Sequence, residues 1–253
     1  MNQGPLGFRP IVRSLAMADS WAQRIGGASS RAVGRWPEAF LTIAEACAAG
    51  KAVGAETWQT ALGMMDPLPT QDQAFVTLIL ATPILLINAN PYGHRRLTIQ
   101  DWGATLGFGP STLAALDGYF QRLGQGQAIR PSSWENRPWE PSEQEFPKVA
   151  DLWALVASLP GQWIAPLTLA QRWGWPATAL ALVGVWATIQ AGPGGMPLQA
   201  IGHLIMDGQM MDSSIDHREP TLGPRWRGYG VTDLDALADA LHQRWAGSPP
   251  AHR

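Results

Sequence analysis

The stretch Thr70-Gln71-Asp72-Gln73-Ala74-Phe75-Val76-Thr77-Leu78-Ile79-Leu80-Ala81-Thr82-Pro83-Ile84-Leu85-Leu86-Ile87-Asn88 decides the fold class. Its first four residues fit a capping box, with a threonine at the N-cap and a glutamine three positions on. The apolar run over 74–87 follows without polar alternation, so a half-exposed strand is excluded. It is also shorter than the ~20 residues a membrane-spanning helix needs. A capped apolar segment of this length is a helix buried inside a protein core.

The rest of the chain reads in the same way. Pro10 opens a helix whose inward face carries Ile11, Leu15, Ala18, Ala22 and Ile25. Pro37 opens a second, with Phe40, Ile43, Ala44 and Cys47 inward and Gly50 as its stop. Shorter helices are expected over 56–65, from Thr98 past Asp101, and from Ser111 to about Gly124. Further helices are expected over 149–159, 167–173, 177–190 and 197–206. A last one, capped by Thr232, presents Leu234, Leu237, Ala238, Leu241 and Trp245. No segment alternates as a strand does. The expectation is an all-α orthogonal multi-helix bundle, about ten helices around one core, forming a single helical domain over 1–253. Two stretches interrupt it: a Pro/Trp-rich loop or linker at 126–147, and a polar irregular segment at 207–230.

Composition narrows the partners. The chain is 46% hydrophobic and only 15% charged, against roughly 25% charged in an average domain. A formal net charge of −2 provides no footprint for nucleic acid and no polybasic patch for an anionic membrane surface. Cys47 is the single cysteine, so no intrachain disulfide exists, which fits a reducing, cytoplasmic location. The first ten residues lack the basic and apolar regions of a secretory signal. Thirteen tryptophans are scattered without a repeat spacing. Tryptophan is enriched at protein-binding hot spots, so Trp134 and Trp139 in the linker are candidate partner contacts.

Intact catalytic motifs are missing. Gly192-Pro193-Gly194-Gly195 has neither the preceding strand nor the GK[ST] of a phosphate loop. Asp207, Asp212, Asp216, His217 and Glu219 form the densest group of ligand-type residues, but their spacing fits no calcium-binding loop. None of the five histidines stands in an HExxH arrangement, and no GxSxG is present.

Three segments nevertheless resemble the ADP-ribosylglycohydrolase family. The helix over 14–21, Ser-Leu-Ala-Met-Ala-Asp-Ser-Trp, is similar to the family's G-L-A-x-G-D-A-x-G, with Asp19 at the acid. The segment 70–73 is similar to its T-D-D-T motif, and matches at Thr70 and Asp72 only. Gly174-Trp175-Pro176-Ala177-Thr178 is similar to its G-D-T-D-T motif, and matches at Gly174 and Thr178; Gly184, Gly192 and Pro197 fit the continuation. The resemblance implies a central cleft where active members hold two Mg²⁺ ions and hydrolyse the glycosidic bond of ADP-ribose on a modified protein. It also implies that this site is damaged, because Gln71, Gln73, Trp175 and Ala177 stand where acids or a threonine are expected. Two close cations need several carboxylates. The expected protein is therefore a catalytically degenerate, protein-binding or scaffolding factor without a catalytic residue or resident cofactor. Its vestigial cleft would comprise Asp19, Thr70, Asp72, Trp175 and Thr178. Two alternatives follow from the same residues. One is a metal-dependent hydrolase with a rearranged site, in which Mg²⁺ would rest on Asp19, Asp72 and an acid from 207–216. The other is a non-catalytic binder of ADP-ribose or another nucleotide.

Overall fold

A helix that is apolar on every side has no face to offer water, so it belongs in the middle of a bundle. Two segments of this chain meet that condition, and the computed structural model places both at the centre. It describes residues 8–25, 35–65, 70–88, 99–125, 147–191, 222 and 224–247. Ten α-helices run through them: α1 (Phe8–Ile25), α2 (Trp36–Ala48), α3 (Ala55–Gly63), α4 (Thr70–Asn88), α5 (Ile99–Thr105), α6 (Pro110–Gln125), α7 (Val149–Ser158), α8 (Ile164–Arg172), α9 (Ala177–Ala191) and α10 (Val231–Trp245). A short 3₁₀ turn, Pro224–Trp226, precedes α10. The described residues contain no strand, so the fold class is all-α. Among them no helix is long and apolar enough to cross a membrane. The linker tryptophans Trp134 and Trp139, the expected helix at 197–206, the Thr98 cap and the acids from Asp207 to Glu219 lie outside the described residues.

The central helices are α4 and α9. Every residue of α9 from Ala177 to Ile189 is buried. In α4, Phe75, Leu78, Ile79, Leu80 and Leu85 are at most 1% exposed. The helix runs through Pro83, although proline removes one backbone donor and crowds the preceding turn. α1 packs along α9, α2 and α6 pack on α4, and α7 and α8 cover the rest of α9. α10 closes the bundle against α1, α2 and α4.

Two helix ends differ from or extend the sequence expectation. α2 does stop at Gly50, which takes a left-handed φ of 74°. Its N–H and that of Lys51 return to the carbonyls of Cys47 and Ala46, at 3.0 and 2.9 Å. Thr232, by contrast, is not the cap of the last helix. Gly230 holds the extended N-cap position, and its N–H donates to the Asp233 carboxylate at 2.8 Å. An acid three residues into the helix satisfies that donor, so the helix starts two residues earlier than threonine preference suggests.

The crossing of α1 and α9 explains a glycine. A Cβ on Gly184 would sit 3.0 Å from the Ala18 Cβ and 3.4 Å from the Ser14 carbonyl oxygen. The indole N–H of Trp163 donates to the Gly184 carbonyl and to Thr188 Oγ1, both at 3.1 Å. Between α6, α7 and α9, Trp153 and Trp186 stack at 3.4 Å with their planes 6° apart. Tyr119 meets Trp186 edge-on and shares a 3.0 Å hydrogen bond with Thr82.

Candidate functional site

Two of the residues singled out in the sequence meet directly. Asp72 lies in the first turn of α4 and Thr178 in the first turn of α9. The Thr178 hydroxyl donates to Asp72 Oδ1 at 3.1 Å across 106 positions of sequence. Both are buried, Asp72 with 3% exposure and Thr178 with none. Burial pushes the Asp72 carboxyl above the ordinary carboxylate range, and the Thr178 hydroxyl pulls part of that back. The positive ends of both helices also favour an anion at this junction.

Trp175 stands just before α9, 8% exposed, with its ring 5.4 Å from that of Trp173. Its position follows from the end of α8. Gly174, at φ 72°, donates to Gln171, and the Trp175 N–H donates to the Ala170 carbonyl at 3.0 Å. This is a Schellman turn, which requires a glycine-like residue at that place whatever the function. The Gly174 match therefore has a local cause of its own. Thr70 is itself the first helical residue of α4, so it does not hold the N-cap position expected of it. Gln73 is exposed.

Asp19 is committed elsewhere. It has no exposed surface, and three donors converge on its carboxylate. Arg225 reaches Oδ1 at 3.0 Å, the Trp226 indole N–H reaches Oδ2 at 3.1 Å, and Gln23 reaches Oδ2 at 2.8 Å. Burial raises the Asp19 carboxyl above its usual range, opposed first by the Arg225 guanidinium and then by the Trp226 and Gln23 hydrogen bonds. Arg225 and Trp226 were not singled out in the sequence, because the polar 207–230 segment carries no period from which a fold can be read. An Arg-Trp-Arg run ahead of a helix was the available signal.

The donor set can be tested against two Mg²⁺ ions. Each needs hard oxygen ligands, and a close pair needs several carboxylates to offset its charge. The Asp72–Thr178 contact supplies one carboxylate and one neutral hydroxyl, and Trp175 supplies no oxygen ligand. Among the described residues, no group of three or more His, Cys, Asp or Glu side chains converges. These residues do not fit a binuclear Mg²⁺ site.

No family model, curated protein or solved structure matches this chain.

A groove that the sequence did not reveal runs between the end of α2 and α10, with a volume of about 610 Å³. Ala48, Ala49, Ala236 and Ala240 line it together with Tyr229, Asp233 and Arg244. It lies on other elements than the Asp72–Thr178 junction. Cys47, close by, is buried, and burial pushes its thiol up to about 12, which keeps it an unreactive protonated thiol.

Proposed function

We propose that this protein is a catalytically degenerate relative of the ADP-ribosylglycohydrolases that works by binding another protein, as a scaffolding or regulatory factor. One observation carries the reading. The helix starts that resemble the family's two metal motifs meet at Asp72 and Thr178, and between them they bring a single carboxylate. Asp19, the acid of the third resembling segment, is neutralised by Arg225 within the protein. Low charge and abundant tryptophan favour protein partners over nucleic acid or anionic membranes. The buried thiol of Cys47 and the absence of any possible intrachain disulfide support a cytoplasmic setting.

Calorimetric titration with Mg²⁺ and Mn²⁺, run beside an assay for release of ADP-ribose from a modified protein, tests the loss of chemistry. The expected result is no saturable metal binding and no release. Two bound ions together with product would establish the rearranged hydrolase instead. A second reading, a nucleotide binder without chemistry, draws support from Trp173 and Trp175 beside the start of α9. Thermal shift with ADP-ribose separates the two, because a ligand at 100 times its Kd adds about 2.7 kcal/mol to stability. The scaffold reading expects no shift at millimolar ligand.

A further inference from the structure

Residues 224–230 lie against α1 and α2, held by side-chain charge and by Trp226, which is buried in the core. Their backbone hydrogen bonds are local: Arg227 donates to Pro224, and Tyr229 to Trp226. The attachments to the helices come from four side chains. Arg225 pairs with Asp19 of α1 at 3.0 Å. Arg227 reaches Glu45 of α2 at 3.1 Å, the Glu38 carbonyl at 3.3 Å and the Thr42 hydroxyl. The Tyr229 hydroxyl donates to Glu45 at 2.7 Å. Trp226 is the apolar anchor, edge-on to Trp36 at 5.7 Å and to Phe40 at 6.2 Å.

Two features make this seat costly to keep. Arg227 has a left-handed φ of 51°, a conformation that a side chain with a Cβ rarely adopts. It is followed by Gly228 at 71°. In addition, Arg225 Nε and Trp36 Nε1 are buried without an acceptor. Lifting the segment would relax the first and hydrate the second. Charge attraction and the burial of Trp226 together offset both; the part-exposed pairs of Arg227 with Glu38 and Glu45 are the share that weakens with salt, while the buried Arg225–Asp19 pair is screened much less.

We propose that residues 224–230 are an ionic strap that opens as a local unit when its charges are screened or removed. Opening uncovers the Asp19 carboxylate and the aromatic socket of Trp36 and Phe40. The strap is thus a charge-sensitive switch between a closed surface and an exposed acid-and-aromatic one. It stands independently of the function proposed above.

Hydrogen exchange on the full chain tests it. The amides of Arg227 and Tyr229 report the strap, and those of Val183 and Val185 report the core. Between 0.05 and about 1 M NaCl, protection at the strap is expected to fall at least tenfold, with the core unchanged. The surface double substitution Glu38→Gln/Glu45→Gln should produce the same loss at low salt. It should also remove most of the salt response. Tryptic cleavage after Arg225 or Arg227 should accelerate in parallel. Strap protection that ignores both salt and the substitutions would overturn the proposal, as would strap amides that exchange only together with the core.

Discussion

Asp19 and Asp72 are both buried acids, but they are stabilised in different ways and should respond differently to mutation. Asp19 accepts from Arg225, Trp226 and Gln23, so its removal leaves three donors without an acceptor. Breaking a fully buried ion pair costs about 3–5 kcal/mol, and Arg225 remains partly solvated, so Asp19→Ala should cost about 2–4 kcal/mol. Asp19→Asn should cost less, because its amide oxygen still accepts. Urea melts of the two variants check the order, and equal stability would contradict a carboxylate held by three donors. Asp72 has one side-chain partner among the described residues, and its carboxyl is pushed up by burial. A group raised above its unfolded value stabilises the fold while protonated, and that contribution is lost as pH rises through the folded value. Asp72→Asn removes the penalty and keeps an acceptor for Thr178. Losing a negative charge from the first turn of α4 costs about 0.3–1 kcal/mol, less than the roughly 1–3 kcal/mol of an undersatisfied buried polar group. The variant should therefore be more stable than the parent at pH 8, on the order of 1 kcal/mol. The gain should shrink towards pH 4. A gain that grows with acid would mean the opposite sign for the Asp72 shift.

Helices α1 and α9 show what periodicity conveys and what it omits. The inward faces of α1, α2 and α10 were readable because apolar residues recur with the helical period, and Ile11, Leu15, Phe40, Leu234 and Leu241 are all buried. The starts and stops set by Pro37 and Gly50 were readable because proline and glycine restrict the backbone at known positions. The pairing of helices was not, since burial is non-directional and says nothing about which face meets which. Gly184 is one of the few residues that encodes a pairing, because only a missing side chain lets α1 approach α9 this closely. Gly184→Val should therefore cost about 2–3 kcal/mol through overpacking against Ala18 and Ser14, despite replacing a residue with poor helix propensity. Gly184→Val/Ala18→Gly should recover a large part of that loss, since the second change empties the space where the first collides. A thermal-melt cycle over the four chains measures the coupling, and strictly additive effects would place the strain elsewhere. The Asp72–Thr178 contact was approached from the sequence only through motif resemblance. Nothing in the local pattern of 70–73 or 174–178 announces that the two helix starts touch.

At the scale of the molecule, the two ends of the described chain are locked to each other. α10 lies on α1, and Arg9–Asp239 and Arg13–Asp235 join their outer edges. The exposed Arg9–Asp239 pair is worth about 0–1 kcal/mol, and Arg13–Asp235 is half-buried, so the two set the register of the helices more than they supply the stability. The energy lies beneath them. Leu234, Leu237 and Leu241 are buried against α1, α2 and α4, and burying such a side chain contributes about 1.5–3 kcal/mol. Three of them sum to roughly 5–9 kcal/mol, the same size as the ~5–15 kcal/mol that separates a native domain from its unfolded chain. Helix α10 is therefore a condition of the fold. A chain ending after Gly230 should lose the native near-ultraviolet dichroism of its tryptophans and keep helical far-ultraviolet signal, as a compact state without fixed packing does. In the intact chain, the same two signals should melt at one denaturant concentration. If α10 could be removed and the remainder still unfolded in a single sharp transition, α1, α2 and α4 would have to close the core alone. The apolar faces that now receive Leu234, Leu237 and Leu241 would then have found cover within the remaining chain.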